Sequence, residues 1–419
     1  MLSSRKTFCS CVLCLLAFFL SACSVAPHQP TLISDKDLYD GRYQKAIEKT
    51  LADEQRYGDT NRLLWLFNLC SLNHYNNEYD ASNRYCQRAE ELSKILGVES
   101  ITENISAAFT DDNVISYSGT NYERALLYPF GMTNYIGNDN ASESLVDARK
   151  LDVFSQVTDS KQEEAFARFV SALIYETEGE TDSALVDYRK SFDIYSQLDE
   201  FRNSRALDEV GRDFLRNLES SGMDNEYQRY QARFDISKKQ KALNNGFGEV
   251  VFIFETGFAP YKVTEYIRIP ESGDTTTVGM FKHRPPLVDH VRAKSIDDEK
   301  GVRSFKVYDV NISTNSHQQF QFEDKFGKAE IEPLLVHEFE KYGSRYFNID
   351  PISHLEKADV RSWYSLPGKI HMLRLNLPSG SHDIALKYYS SYGEEVFRQL
   401  KKDVVVKNKK RSFVRVKLP

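Results

Sequence analysis

ARFVSALIYETEGETDSALVDYRKSFDIYSQ, residues 167–197, is the stretch from which the fold of the N-terminal half is read. Apolar residues recur three and four apart on both sides of Gly179, with no proline, which predicts two amphipathic helices. Gly179 supplies the left-handed turn that lets the second helix run back along the first. Ala172 and Ala184 are the small residues that allow the two helices to approach closely, while Tyr175 and Tyr188 fill the space beside them. Residues 63–89 repeat the frame: Leu66, Leu69 and Cys70 on a first helix, Asn77 at the turn, then Tyr79, Ser82, Cys86 and Ala89 on a second.

The intervals of Ala172, Tyr175, Gly179, Ala184, Tyr188 and Ser191 resemble positions 8, 11, 15, 20, 24 and 27 of a tetratricopeptide repeat. Gly41, Tyr43 and Ala46 match the turn and second helix of an earlier, incomplete unit, and residues 123–151 form a degenerate third helical pair. Residues 34–245 are therefore read as a TPR-like helical repeat domain, with residues 101–122 as an irregular insertion. The resemblance implies a concave face that binds extended peptides, lined by the first helix of each repeat. Its candidate positions are Leu64, Phe67, His74, Tyr75, Phe166, Phe169, Leu173 and Glu176, with two readings open: an accessible groove, or a face covered by the C-terminal domain or by the insertion.

Outward from the repeats, the N-terminus carries an address. Arg5 and Lys6 precede Thr7 to Leu20, an apolar run shorter than the ~20 residues a membrane-spanning helix needs, which reads as a secretory signal. Leu20-Ser21-Ala22-Cys23 looks like the bacterial lipobox, so residues 1–22 are a lipoprotein signal peptide and Cys23 is the lipidation site. Ser24, rather than Asp, resembles the outer-membrane sorting pattern, and residues 23–33, with Pro27 and Pro30, read as a tether. Several acyl chains anchor stably, since each buried CH₂ contributes ~0.8 kcal/mol. The expectation is a protein on a membrane, most simply the periplasmic face of the outer membrane.

Of six Cys, three leave with the signal and one is lipidated, leaving Cys70 and Cys86. In the repeat frame they occupy positions 8 and 24, equally far from the turn, so a disulfide between the two helices is geometrically reasonable in an oxidising compartment. Two small buried thiols are the other reading.

After Asn245 the pattern changes to short apolar runs, Val250–Phe254 and Val263–Ile269, bounded by Gly257, Pro260 and Pro270. Residues 246–368 read as a mixed α/β region with a helix at 331–346. From Ile370 onward, Leu373, Leu375 and Leu377 alternate with Met372, Arg374 and Asn376, so residues 369–419 read as a small antiparallel β module with one buried face. The fold class is α+β: all-α TPR-like repeats followed by a mainly-β region, an antiparallel sheet or sandwich, with one or two helices. Residues 394–419 carry nine Lys or Arg against three acidic residues. That patch could meet anionic headgroups or lipopolysaccharide, or simply keep strand edges soluble.

The whole chain has 54 Lys+Arg against 61 Asp+Glu, which offers nucleic acid no general attraction. Metal and cofactor motifs are missing from the pattern. His337-Glu338 begins like a zinc-protease helix but Lys341 stands where the second ligand belongs. Ser379, His382 and Asp383 are adjacent in sequence without the convergence a triad needs, and Gly246-Phe247-Gly248 leads into a strand rather than a helix. The reading is not an enzyme, with no cofactor beyond the covalent lipid on Cys23.

The lipobox, the interrupted repeats, Tyr122-Glu123 leading to Asp147-Ala148-Arg149-Lys150, Gly257-Phe258-Ala259-Pro260 and the run from Ala358 through Arg361-Ser362-Trp363 to Leu366-Pro367 resemble a family. Its members are tetratricopeptide-containing outer-membrane lipoproteins of Gram-negative bacteria. The resemblance implies a lipid-anchored scaffold or adaptor that binds an envelope protein or peptide in cell-envelope biogenesis, and it brings no catalytic residue. The alternatives are a cell-wall or lipopolysaccharide-binding module that uses the basic C-terminal region, and a hydrolase with a site in residues 246–370.

Overall fold

The computed structural model describes residues 33–103, 116–158, 160–234, 245–268, 275–295, 301–326 and 359–418. The leader with Cys23, the helix expected at 331–346 with His337 and Lys341, and residues 104–115 of the insertion lie outside the described residues.

The helical half opens with α1 (Asp35–Tyr39), α2 (Tyr43–Ala52) and α3 (Glu54–Tyr57), and continues as antiparallel pairs. These are α4 (Arg62–Tyr75) with α5 (Tyr79–Glu103), α6 (Asn121–Gly137) with α7 (Ser144–Ser155), α8 (Lys161–Glu178) with α9 (Thr181–Gln197), and α10 (Arg205–Ser220) with α11 (Asp224–Phe234). From α4 onward each helix packs on the next, as in a tetratricopeptide array. The α8–α9 turn rests on Gly179 at φ +82°, a conformation that L side chains resist, and Ala172 and Ala184 are wholly buried between the two helices. Gly131 permits the close approach of α6 and α7, since a Cβ there would collide with the Asp147 carboxylate. Cys70 and Cys86 are disulfide-bonded, with Cα atoms 5.0 Å apart, and tie α4 to α5.

The C-terminal half contains β1 (Phe247–Thr256), β2 (Tyr261–Arg268), β3 (Thr275–Lys282), β4 (His290–Ser295), β5 (Val302–Arg303), β6 (Phe305–Asp309), α12 (Val310–Phe326), β7 (Lys369–Pro378), β8 (Gly380–Tyr389), β9 (Glu395–Val406) and β10 (Arg411–Leu418). One sheet has the order β10-β1-β7-β6, a second β5-β4-β8-β9, and β2 pairs with β3 apart from both. The expected division at residue 369 is corrected here: β7 and β10 flank β1, so strands from both sides of residue 369 share one sandwich and the terminal strands are not a separate module. The expected antiparallel arrangement is found in every other strand pair described, and at one edge β10 runs parallel to β1. Strand β9 belongs to the second sheet and β10 to the first, so the chain changes sheets between them.

Alternation along the strands builds three layers. Val250, Phe252 and Phe254 of β1 and Leu373, Leu375 and Leu377 of β7 face Ile384, Leu386 and Tyr388 of β8, forming the sandwich core. The opposite face, with Val251, Ile253, Ile370 and Met372, packs on the helices. The first sheet is therefore buried on both sides.

Between helices and sheet lies a buried ion network. Arg374 of β7 donates to Glu249 of β1 at 2.8 and 3.1 Å and to Asp213 of α10 at 2.6 Å. Arg411 of β10 pairs with Glu249 at 2.7 Å and Glu176 of α8 at 3.1 Å, and Arg216 of α10 reaches Glu176 at 2.6 Å and Asp213 at 2.9 Å. Burial alone would raise the Glu249 and Glu176 carboxyls, but the arginines facing them hold both below the ordinary range.

Replacing one member leaves its partners charged and dry, which costs about 3–5 kcal/mol. Arg374→Met is expected to lower unfolding stability by about that amount in urea titrations followed by circular dichroism. Because Glu176 and Glu249 titrate below their unfolded values, the network stabilises fully above roughly pH 4.5 and weakens as the pH falls through the folded-state pKa values. The penalty of Arg374→Met should therefore shrink in acid. A variant as stable as the parent at pH 7 would show that the network is dispensable.

Candidate functional site: the concave face and the cleft beside it

Leu64, Phe67, His74, Tyr75, Phe166, Phe169 and Leu173 are all buried, and Glu176 is engaged in the ion network. Of the two readings, an accessible groove or a covered face, the structure shows the covered one. Over α4 the cover is residues 361–366 of the same chain, which fold into a turn closed by the Leu366 N–H donating to the Trp363 carbonyl at 3.3 Å. The Trp363 indole stacks on Phe67 with ring centroids 4.4 Å apart and on Phe130 at 5.4 Å. Its Nε1 donates to Ser71 Oγ at 3.2 Å, and its backbone N–H donates to Glu123 Oε1 at 2.5 Å. Ser365 Oγ donates to Asn68 Oδ1 at 2.9 Å, and Tyr75 OH donates to the Ser365 carbonyl at 2.8 Å. Several of the positions read as peptide-binding, Phe67, Ser71 and Tyr75, thus contact a turn of the same chain.

Over α8 the cover is the first sheet. Arg374 lies 6.0 Å from the Phe169 ring centroid, and Arg411 donates to the Leu173 carbonyl at 3.4 Å. An aromatic face of this size left in water would be an aggregation liability, and the chain's own C-terminal half removes it. Of the insertion, Tyr117 to Thr120 seal the near end, with Tyr117 OH donating to Glu123 Oε2 at 2.7 Å. Thr120 and Glu123 form a capping box at the start of α6.

His74 has a different role from its neighbours. Its Nε2 lies 2.7 Å from Glu255 Oε1 on β1 and its Nδ1 2.5 Å from Asn134 Oδ1. Burial, reinforced by Arg415, pushes the imidazole below its usual pKa. Burial would raise Glu255, yet His74 and Arg415 hold it at about 2.

Beside this closed face lies a cleft of about 470 Å³ where the free edges of β9 and β10 meet the end of α4. Tyr43, Tyr75 and Asn77 form its helical wall, Phe397 and Lys401 one strand wall, and Arg415 and Lys417 the other. Arg415 donates to Glu255 Oε2 at 2.7 Å, the His74 carbonyl at 2.6 Å and Asn77 Oδ1 at 3.0 Å. Lys417 Nζ donates to the Gly257 carbonyl at 2.5 Å and sits 4.0 and 4.8 Å from the Phe258 and Tyr75 ring centroids. Burial brings the Lys417 ammonium down to about 7 and lowers that of Lys401 as well.

The basic C-terminal segment is accordingly no uniform surface patch. Arg411 and Arg415 point inward to carboxylates, Lys417 is packed on aromatic faces, and Lys402, Lys407, Lys409 and Lys410 remain on the surface. Ser379, His382 and Asp383 each bond a backbone group, of Gly246, Pro378 and Asp403 respectively, and do not converge. Among the described residues no group of three or more His, Cys, Asp or Glu could hold a metal, and no helix is long and apolar enough to cross a membrane.

No family model and no curated protein matches the chain. Two solved structures that are similar are both described as a putative kinesin light chain with nearly identical TPR-like repeats from Podosopora anserina, one of them carrying a single substitution. They align at a TM-score of 0.30 with 12% and 13% identity, covering 48% of this chain and 88% and 90% of theirs.

Sequence reading missed Trp363 and Ser365 as occupants of the groove, although the motif around them was visible, and missed the cleft. Its signal was the excess of Lys and Arg at the C-terminus. Trp363→Ala removes a wholly buried indole and should cost about 3–5 kcal/mol in urea unfolding. A loss under about 1 kcal/mol would mean that residues 361–366 leave the concave face readily.

Proposed function

We propose that the chain is a lipid-anchored, periplasm-facing binding protein of the outer membrane. It acts as a scaffold or adaptor in cell-envelope biogenesis and engages its partner at the cleft and sandwich edge rather than in the helical groove. The observation that carries this reading is the occupied concave face: residues 361–366 and the first sheet take up the positions a peptide would use, so the array serves as a frame. The concavity left open beside it is the basic cleft. The anchor rests on the charged leader and the Leu20-Ser21-Ala22-Cys23 run. The Cys70–Cys86 bridge supports an oxidising compartment. Binding rather than catalysis is favoured because the buried carboxylates pair with arginines across the layer interface instead of converging on the cleft.

The experiment is fractionation of cells that express the parent chain or Cys23→Ala, combined with photo-crosslinking from position 399 on β9 or from buried position 169. The parent should fractionate with outer membranes and Cys23→Ala with the soluble periplasm. Position 399 should give a discrete adduct to an envelope component, whereas position 169 should give none. Cys23→Ala that stays on the membrane would refute the anchor, and adducts from position 169 alone would return the partner to the groove.

A further inference from the structure

The cleft beside α4 holds more cationic groups than the acidic groups around it pair with directly. Lys417 Nζ has a single hydrogen-bond acceptor among the described residues, the Gly257 carbonyl, and is otherwise held over two aromatic rings. Lys401 has no acidic partner among the described residues. The Arg415 side chain is 2% exposed, and its Nε is buried without an acceptor although both terminal nitrogens are engaged. The acidic groups nearby are spoken for: Glu255 by His74 and Arg415, and Glu395 by Arg398. A buried cation short of acceptors is unfavourable unless an anion completes it.

Ligand chemistry follows from the kind of donor left over. A planar carboxylate is recognised best by the two-pronged face of an arginine, but the Arg415 fork is already spent on Glu255, the His74 carbonyl and Asn77. What remains among the lining residues is the ammonium groups of Lys401 and Lys417, point charges suited to a tetrahedral, multiply charged group. The rest of the wall has a different character. Tyr43 and the face of Phe397 turned away from Tyr388 offer aromatic surface, and Asn77 and Gln399, whose amide oxygens already accept from Arg415 and Tyr388, offer amide N–H donors, a combination that packs on a sugar ring while bonding its hydroxyls. The volume of about 470 Å³ accommodates a monosaccharide phosphate.

Building on the reading of the cleft as the binding site, we propose that it takes a phosphorylated sugar, with the phosphate held by Lys401 and Lys417 and the ring against the wall that carries Tyr43 and Phe397. Such a group reaches the cleft either as a free sugar phosphate or as the phosphorylated headgroup of a glycolipid, and the cleft chemistry is the same for both.

The test uses the full mature chain carrying Cys23→Ala, so that the anchor does not contribute. Glucose 1-phosphate, inorganic phosphate and glucose are titrated by calorimetry, and vesicles with and without lipid A are tested by flotation. Glucose 1-phosphate should bind and glucose should not. Lys401→Glu, at a half-buried position on the edge strand β9, should weaken binding at least tenfold, and Lys417→Met should do the same. Lipid A vesicles that bind and are displaced by glucose 1-phosphate identify the headgroup as the source. Binding of glucose 1-phosphate without vesicle binding identifies the free compound. No binding in either arm, or affinity unchanged in Lys401→Glu, overturns the proposal. Discrete envelope adducts from position 399 without sugar-phosphate binding would sink this inference alone and leave the wider binding function standing.

Discussion

The structure depends on charge buried between two layers. Arg374 and Arg411 reach from the first sheet into the helical array, where Glu176, Asp213 and Glu249 receive them almost entirely out of water. Desolvating such groups is expensive, and their mutual attraction offsets it only in one geometry. The apolar contacts between sheet and helices tolerate sliding, whereas the ion network accepts a single docking. It therefore fixes how the sandwich sits on the array, and with it the placement of residues 361–366 and of the cleft.

That same network explains what the sequence hides. The alternation of Leu373, Leu375 and Leu377 with Met372, Arg374 and Asn376 looks like a strand with one wet face. In the structure Arg374 is among the most buried charges, because its partners Glu249 and Asp213 stand 125 and 161 residues away in the chain. Periodicity reports which residues share a face, but it is silent on whether that face meets water or a distant carboxylate. The helical pairs were legible for the converse reason. Their contacts are local, so the Ala172, Gly179 and Ala184 spacing encodes the packing directly, and the level placement of Cys70 and Cys86 follows from the same turn.

The concave face was legible as a face, and its cover by the C-terminal half as one of two readings, but not the residues that occupy it. Phe67, Ser71 and Tyr75 stand where an extended ligand would be bound, yet the ligand is residues 361–366, nearly 300 positions along the chain. The motif containing Trp363 was visible as an isolated run of polar and aromatic residues. Nothing within it tells that its ring stacks on Phe67. Likewise the C-terminal excess of lysine and arginine reads as one patch, while the fold divides it into a structural part at Arg411 and Arg415 and a remainder around the cleft. A repeat array used in this way is a frame on which a β-sandwich and its edge cleft are held.

The central claim is that the concave face is filled by the chain itself. Amide hydrogen exchange of the mature protein, read by peptide over residues 62–75 and 359–368, tests it most directly. The account predicts that both segments are protected and lose protection together as urea is added, since one supplies the surface and the other its permanent occupant. Fast exchange of residues 361–366 while α4 remains protected would contradict it, and would mean that the face stands open to other peptides.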